Sequence, residues 1–170
     1  MKILDYILNS RMDTSGIFFA ELRKKLKIKT QKKGLYKEAF THSSVNKKTY
    51  GGEPLNFERL EFLGDAVLNS IIADFLYRYY PNAKEGALTK LRAKIVSRSK
   101  LNQIGKKMDL HAIAEIANHH KYFGEDIHGN LLESLIGALF LDKGYEKTKK
   151  YVISNAILPY INIQKLDSLV

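Results

Sequence analysis

The chain has 170 residues, 45% hydrophobic and 27% charged, with no cysteine, so it is long enough to bury a real core and excludes disulfides and thiolate metal sites. No apolar run reaches the roughly 18 residues of a membrane span and the N-terminus has no apolar core of signal-peptide type, which predicts a soluble, cytoplasmic domain. The net charge is +10 and uneven: residues 1–50 hold 12 basic and 4 acidic side chains, residues 51–170 hold 16 and 14, a distribution suited to a polyanion held on one surface and worked on at another. A lysine-rich solvated face gives the same count.

Taken in order, Ile3, Leu4, Ile7 and Leu8 have helical spacing within residues 1–14. A second helix is predicted over 17–26, with Phe18, Phe19 and Leu22 apolar and Arg23, Lys24 and Lys25 exposed. Residues 27–33 are polar and basic and read as a loop. A short helix over 35–42 ends in Thr41-His42-Ser43-Ser44, a turn whose side chains can satisfy local backbone groups, so His42 and Ser43 are read as structural. Gly51-Gly52 and Pro54 mark a turn.

The run 56–80 contains no proline and is stopped by Pro81; as a helix it is roughly 37 Å long. Asn56 is a plausible N-cap. Glu58, Glu61, Asp65 and Asn69 fall in one stripe, Leu60, Leu63, Val67 and Ile71 lie opposite, and Phe57, Leu68, Ile72 and Phe75 fill most of the rest. Such a helix is expected to be central and buried. Carboxylates along it need a compensating partner, and a metal ion is a leading candidate. An ordinary acidic first turn accounts for the spacing equally well.

Beyond Pro81 a helix is predicted over 84–98, carrying Lys90, Arg92 and Lys94, and another over 99–108 with Leu101, Ile104 and Met108 inward. Residues 111–124 show no readable pattern. His119, His120 and His128 lack the companions of a zinc site and are read as exposed. A helix follows from 125 or 126 to 142, with Gly144 as its C-cap; Asn130 and Glu133 share one face, and Leu131, Leu132, Leu135, Ile136 and Leu139 pack. An amphipathic helix over 145–157 and a short tail after Pro159 complete an all-α fold.

Four ordered blocks are more specific than any of these spacings: AFTHSS at 39–44, ERLEFLGD at 58–65, EGALTKLRAKIV at 85–96 and GNLLESLIGALFLD at 129–142. Together they resemble the catalytic domain of the ribonuclease III family, enzymes that cut double-stranded RNA. The resemblance implies one helical, dimeric catalytic domain over 1–170, with a basic N-terminal helical segment (1–33), a catalytic core (34–158) and a tail (159–170). It further implies a bacterial type with no double-stranded-RNA-binding domain within this chain, and hence weaker, salt-sensitive RNA binding.

Residue by residue, the resemblance places the metal site on Glu61, Asp65, Asn130 and Glu133, with Glu61, Asp65 and Glu133 catalytic. It places Glu58 and Glu85 around the site, makes Lys94 a candidate RNA contact, and makes Phe62 the residue that enters a pocket of a second subunit. Many members carry Asp where this chain has Asn130. The neutral carbonyl of Asn still ligates Mg²⁺ but removes one charge, so weaker metal binding is expected, not lost activity. Asp126, one turn earlier, is positioned to restore some of that charge. The implied reaction is Mg²⁺-dependent hydrolysis (Mn²⁺ substituting) of double-stranded RNA by a homodimer, giving 5′-phosphate and 3′-hydroxyl ends in rRNA or mRNA processing, with no organic cofactor and no membrane. The competing readings are a catalytically silent member that binds structured RNA, as in a ribosomal particle, and a carboxylate di-metal bundle, which lacks its Glu-x-x-His pairs.

Overall fold

The computed structural model describes residues 14–117, 124, 126–162 and 166. Most of the helix expected over 1–14, the pair His119-His120 and most of the tail beyond 162 lie outside the described residues. The chain divides into two compact units, 1–31 and 32–170. Within the first, helix α1 (Thr14–Leu26) has Arg23, Lys24 and Lys25 in its last turn, where cations oppose the negative end of the helix dipole. Lys27, at φ 58°, then turns the chain out of the helix.

The second unit is helical, as expected. It comprises α2 (Lys33–Ala39), α3 (Glu58–Tyr79), α4 (Glu85–Ile95), α5 (Arg98–Lys107), α6 (Ile127–Lys143) and α7 (Tyr145–Tyr151). Helix α2 begins at Lys33, inside the stretch read as a loop. After α7 the chain keeps its helical course over Val152–Ile157 in wider turns, Leu158 N donating to Ile153 O at 2.9 Å. Among the described residues the only extended pairings are two isolated bridges, Thr41 with Glu115 and Lys48 with Pro54.

The core is the crossing of α3 and α6, the most extensive helix pairing in the unit. Leu60, Leu68, Ile71, Ile72 and Leu76 of α3 meet Leu131, Leu132, Leu135, Ile136 and Leu139 of α6, all buried. At the centre the two backbones touch: a Cβ added to Gly64 would lie 1.7 Å from Glu133 O, and one added to Gly137 would lie 2.3 Å from Leu60 O. Helix α6 is buried on nearly every side. Helix α3 is central, as expected, and keeps one flank open: Asp65, Ala66, Ser70 and Tyr77 are exposed, and Phe62 is 82% exposed.

The Thr-His-x-Ser turn anchors the start of α3. Phe57 N donates to Thr41 O at 2.9 Å, the buried Thr41 hydroxyl donates to Lys37 O at 2.7 Å, and His42 Nδ1 accepts from Ser44 N at 3.1 Å. The His42 ring lies edge-on to Phe57, centroids 5.6 Å apart. Asn56 caps α3 as expected, its Oδ1 accepting from Glu58 N at 3.0 Å.

The two helices expected over 84–98 and 99–108 are present, with the break between them two to three residues earlier. Helix α4 ends at Ile95, and Ser97, in extended conformation, starts α5 with its hydroxyl accepting from Lys100 N. Arg98 is therefore the first residue of α5, and the break aims it in a new direction. The expected C-cap is present: Gly144, at φ 76°, donates to Phe140 O at 2.9 Å. His128 is not exposed. It is half-buried in the first turn of α6, its ring centroid 5.9 Å from that of His111.

Candidate active site

Between Gly129 and Leu139 every residue of α6 is buried except Asn130 and Glu133. This pair is one turn apart, so it forms a single polar window in an otherwise apolar helix. The Gly64–Gly137 contact sets Glu61 and Asp65 of α3 beside that window. Gly64 lies directly before Asp65 and abuts the Glu133 carbonyl, while Gly137 follows Glu133 by one turn and abuts Leu60, which directly precedes Glu61. A side chain at either glycine would force the two carboxylate-bearing segments apart.

The electrostatics follow from this placement. Glu133 is pushed up to about 7, first by burial, then by the charges of Asp65 and Glu61, with Arg98 opposing. Glu61 is raised from the usual carboxylate range by burial, relieved by Arg98 and raised again by Glu58 and Asp65. Asp65 is exposed, and Asn69 Nδ2 donates to its Oδ1 at 2.9 Å and to its backbone O at 3.0 Å, fixing the carboxylate. Glu61 and Glu133, both raised with Asp65 beside them, call for a cation. Together with the Asn130 carbonyl they form a hard-oxygen donor set of the kind that suits Mg²⁺ or Mn²⁺. Among the described residues, no three His, Asp or Glu side chains converge closely enough to clamp an ion together.

The other expected residues line recesses of the same unit. Glu58 is exposed on a recess of about 670 Å³ that also takes in Glu38, Arg59, Phe62, Leu63 and Leu141. Glu85 accepts from the Thr89 hydroxyl at 2.8 Å and lines a separate recess of about 600 Å³ between α3 and α4 with Asp74, Tyr77 and Arg92. Lys94 is exposed on a third recess, with Lys100, Lys107 and Tyr160. Asp126 is not free to supply charge to the cluster. Arg98 Nη1 and Asn102 Nδ2 each donate to one of its oxygens, both at 2.9 Å. Arg98 and Asn102 were not anticipated. No local pattern marks them, because only the break before α5 brings them against α6.

This is a helical domain in which two crossing helices bring Glu61 and Asp65 beside Glu133, an arrangement suited to a metal-dependent hydrolase. A family model described as Ribonuclease-III-like matches residues 32–161, and the chain belongs to the ribonuclease III family. It is 44% identical to Ribonuclease 3 of Zunongwangia profunda over all of this chain and 70% of that protein. It is 45% identical to Ribonuclease 3 of Flavobacterium psychrophilum over 96% of this chain and 66% of that one. Against Ribonuclease 3 of Bacteroides fragilis the identity is 39%, with 46% of that longer protein spanned. Among solved structures, it is similar to the nuclease domain of ribonuclease III from Campylobacter jejuni, whose region involved in dimer formation is structurally flexible. That match has 32% identity and a TM-score of 0.70, over 78% of this chain and 92% of the other. It is also similar to Dicer from Pichia stipitis, with 26% identity and a TM-score of 0.57 over 83% and 58%. No helix among the described residues is long and apolar enough to cross a membrane.

Proposed function

We infer that the chain is an endoribonuclease that hydrolyses phosphodiester bonds of double-stranded RNA. The observation that carries this is the polar window of α6, where Asn130 and Glu133 open beside Glu61 and Asp65. Those four residues would hold Mg²⁺, or Mn²⁺ in its place. The ion, once bound, supplies activation of water and neutralisation of charge at the phosphate. The chain's own contribution is placement. The glycine contact sets the spacing of the two helices, Asn69 holds the Asp65 carboxylate, and Glu58 adds negative charge that keeps Glu61 proton-hungry. Products with 5′-phosphate and 3′-hydroxyl ends, a role in RNA processing, and parts for Glu85 at the site and Lys94 on RNA rest on the family resemblance.

The reading is tested by cleavage of a long RNA duplex at low salt, followed on a denaturing gel against Mg²⁺ concentration. Asn130→Asp restores a full negative charge, so the half-saturating Mg²⁺ concentration should fall by roughly three- to tenfold. A protein that binds duplex but never cuts it, with Mg²⁺ or Mn²⁺, would support the silent RNA-binding reading. Cutting gained only in Asn130→Asp would name Asn130 as the cause.

The homodimer is supported by Phe62. An exposed ring stands beside a recess with an apolar wall of Leu35, Leu60, Leu63 and Leu141, so one face carries both a knob and a hole, as a two-fold interface requires. Phe62→Glu should give a monomer by sedimentation at micromolar concentration, with far-ultraviolet circular dichroism unchanged. A dimer surviving that substitution would place the interface elsewhere.

A further inference from the structure

Arg98 is a cation in electrostatic reach of Glu61 and Glu133, and the chain holds it there. Its guanidinium donates to Asp126 Oδ2 at 2.9 Å; the other Asp126 oxygen accepts from Asn102 Nδ2 at 2.9 Å; and Asn102 Oδ1 accepts from Gly129 N at 2.7 Å. Three side chains thus link the start of α5 to the first turn of α6, next to Asn130. The approach is as close as side-chain-free backbone allows: a Cβ on Gly105 would lie 2.1 Å from His128 O, and one on Gly129 would lie 2.7 Å from Asn102 Oδ1. Arg98 is felt by both Glu61 and Glu133, whose proton affinities it lowers. Asp126 holds it in reach of both.

We propose that Arg98, anchored on Asp126, is a resident counter-charge that sets how strongly the Glu61–Asp65–Glu133 cluster holds a divalent ion. The proposal rests on the metal-site reading above. With Asp126 counted beside Glu61, Asp65 and Glu133, Arg98 brings four negative charges down to a net −3, so it offsets part of the charge a divalent ion meets. Because the Asn102 bridge ties Arg98 and Asp126 to the turn that carries Asn130, the counter-charge is fixed relative to the ligands. Arg98 acts through charge and is a positioning residue, not a ligand. Asn130 and Arg98 thus work in the same direction, and both keep the site's negative charge low.

The test separates charge from structure because the two partners of one ion pair should have opposite effects. Mn²⁺ binding is titrated by electron paramagnetic resonance on the whole chain at low salt, with thermal melting as the control for folding. Arg98→Gln removes the cation and frees Asp126, and should tighten Mn²⁺ by about two- to fivefold. Asp126→Asn keeps the cation and releases it toward the carboxylates, and should weaken Mn²⁺ by a similar factor. Arg98→Lys should bind like the unaltered chain. Both shifts should shrink at 0.5 M salt, since Arg98 and Asp126 are largely exposed and screening acts on charge.

If both variants weaken binding, the pair is merely structural and the proposal fails; it fails too if neither moves the constant. A different result overturns the metal site itself: no saturable Mn²⁺ binding to the unaltered chain, or binding indifferent to Glu133→Gln.

Discussion

Glu133→Gln should abolish duplex cleavage, by at least about a hundredfold, and at the same time stabilise the metal-free protein at pH 8. Both effects come from one carboxylate. Burial, Asp65 and Glu61 hold Glu133 up to about 7, against an ordinary 4.5, so the folded state keeps a proton that the unfolded chain has released. The stability this gives is complete below about pH 4.5 and is lost as pH rises through 7. At pH 8 the group is ionised in both states, and the folded state bears the repulsion. A neutral Gln removes it. Water screens much of the effect because the side chain is only half-buried, so the expected gain is about 2–4 °C, the equivalent of roughly 1 kcal/mol in a chain of this size.

Adding Mg²⁺ or Mn²⁺ should reverse the order. The unaltered chain gains stability with ion concentration by mass action, while the variant lacks a ligand and gains little. Melting curves of the two proteins at pH 5 and pH 8, with and without ion, check all of this. Melting temperatures that coincide at pH 8 without ion would mean that Glu133 is not held in a repulsive site.

The second large effect is Gly64→Ala. Alanine in a helix interior is ordinarily better than glycine by up to about 1 kcal/mol. Here its methyl carbon would sit 1.7 Å from Glu133 O, 2.6 Å from Glu133 C and 2.9 Å from Gly137 N, all rigid backbone. Helices α3 and α6 must separate, at a cost at or above the top of the roughly 1–3 kcal/mol range for overpacking. Urea denaturation should show a net loss of about 3 kcal/mol, with cleavage falling as Glu133 is displaced from Glu61 and Asp65. Gly86→Ala in α4 is the matched control: nothing lies within 4 Å of its added carbon, and it should be neutral or stabilising. A Gly64→Ala protein as stable as the control would show that the helices do not touch there.

Much of this was legible beforehand. The stripe of Glu58, Glu61, Asp65 and Asn69 and the pairing of Asn130 with Glu133 follow from helical periodicity, and both key helices lie within about two residues of their expected bounds. What failed depended on partners distant in sequence. Tyr77, exposed on the flank of α3, carries no signal that separates it from a core aromatic, whereas Phe62 was read as a contact of a second subunit and its ring is exposed. The break before α5 was placed two to three residues late because Ser97 is a weak stop signal, and the reach of Arg98 and Asn102 toward α6 was not seen. Asp126 was offered as spare charge; a sequence shows that a carboxylate is present but not that two donors from another helix already occupy it. The two glycines of the crossing were read only as part of a motif. Their purpose, contact of bare backbone, appears only when both helices are placed.

The near-complete burial of α6 has a consequence for how such a site can change over time. Of the eleven positions from Gly129 to Leu139, nine answer to the core, and only Asn130 and Glu133 face outward. A substitution at any of the nine is judged first by whether the domain still folds, whatever it does to the chemistry. Adjustment of the site from this helix is therefore confined to two places, and one of them, Glu133, carries the reaction proposed above. That leaves a single adjustable position. Exchange of a charged for a neutral side chain at residue 130 is then the one change this helix can absorb without renegotiating the fold.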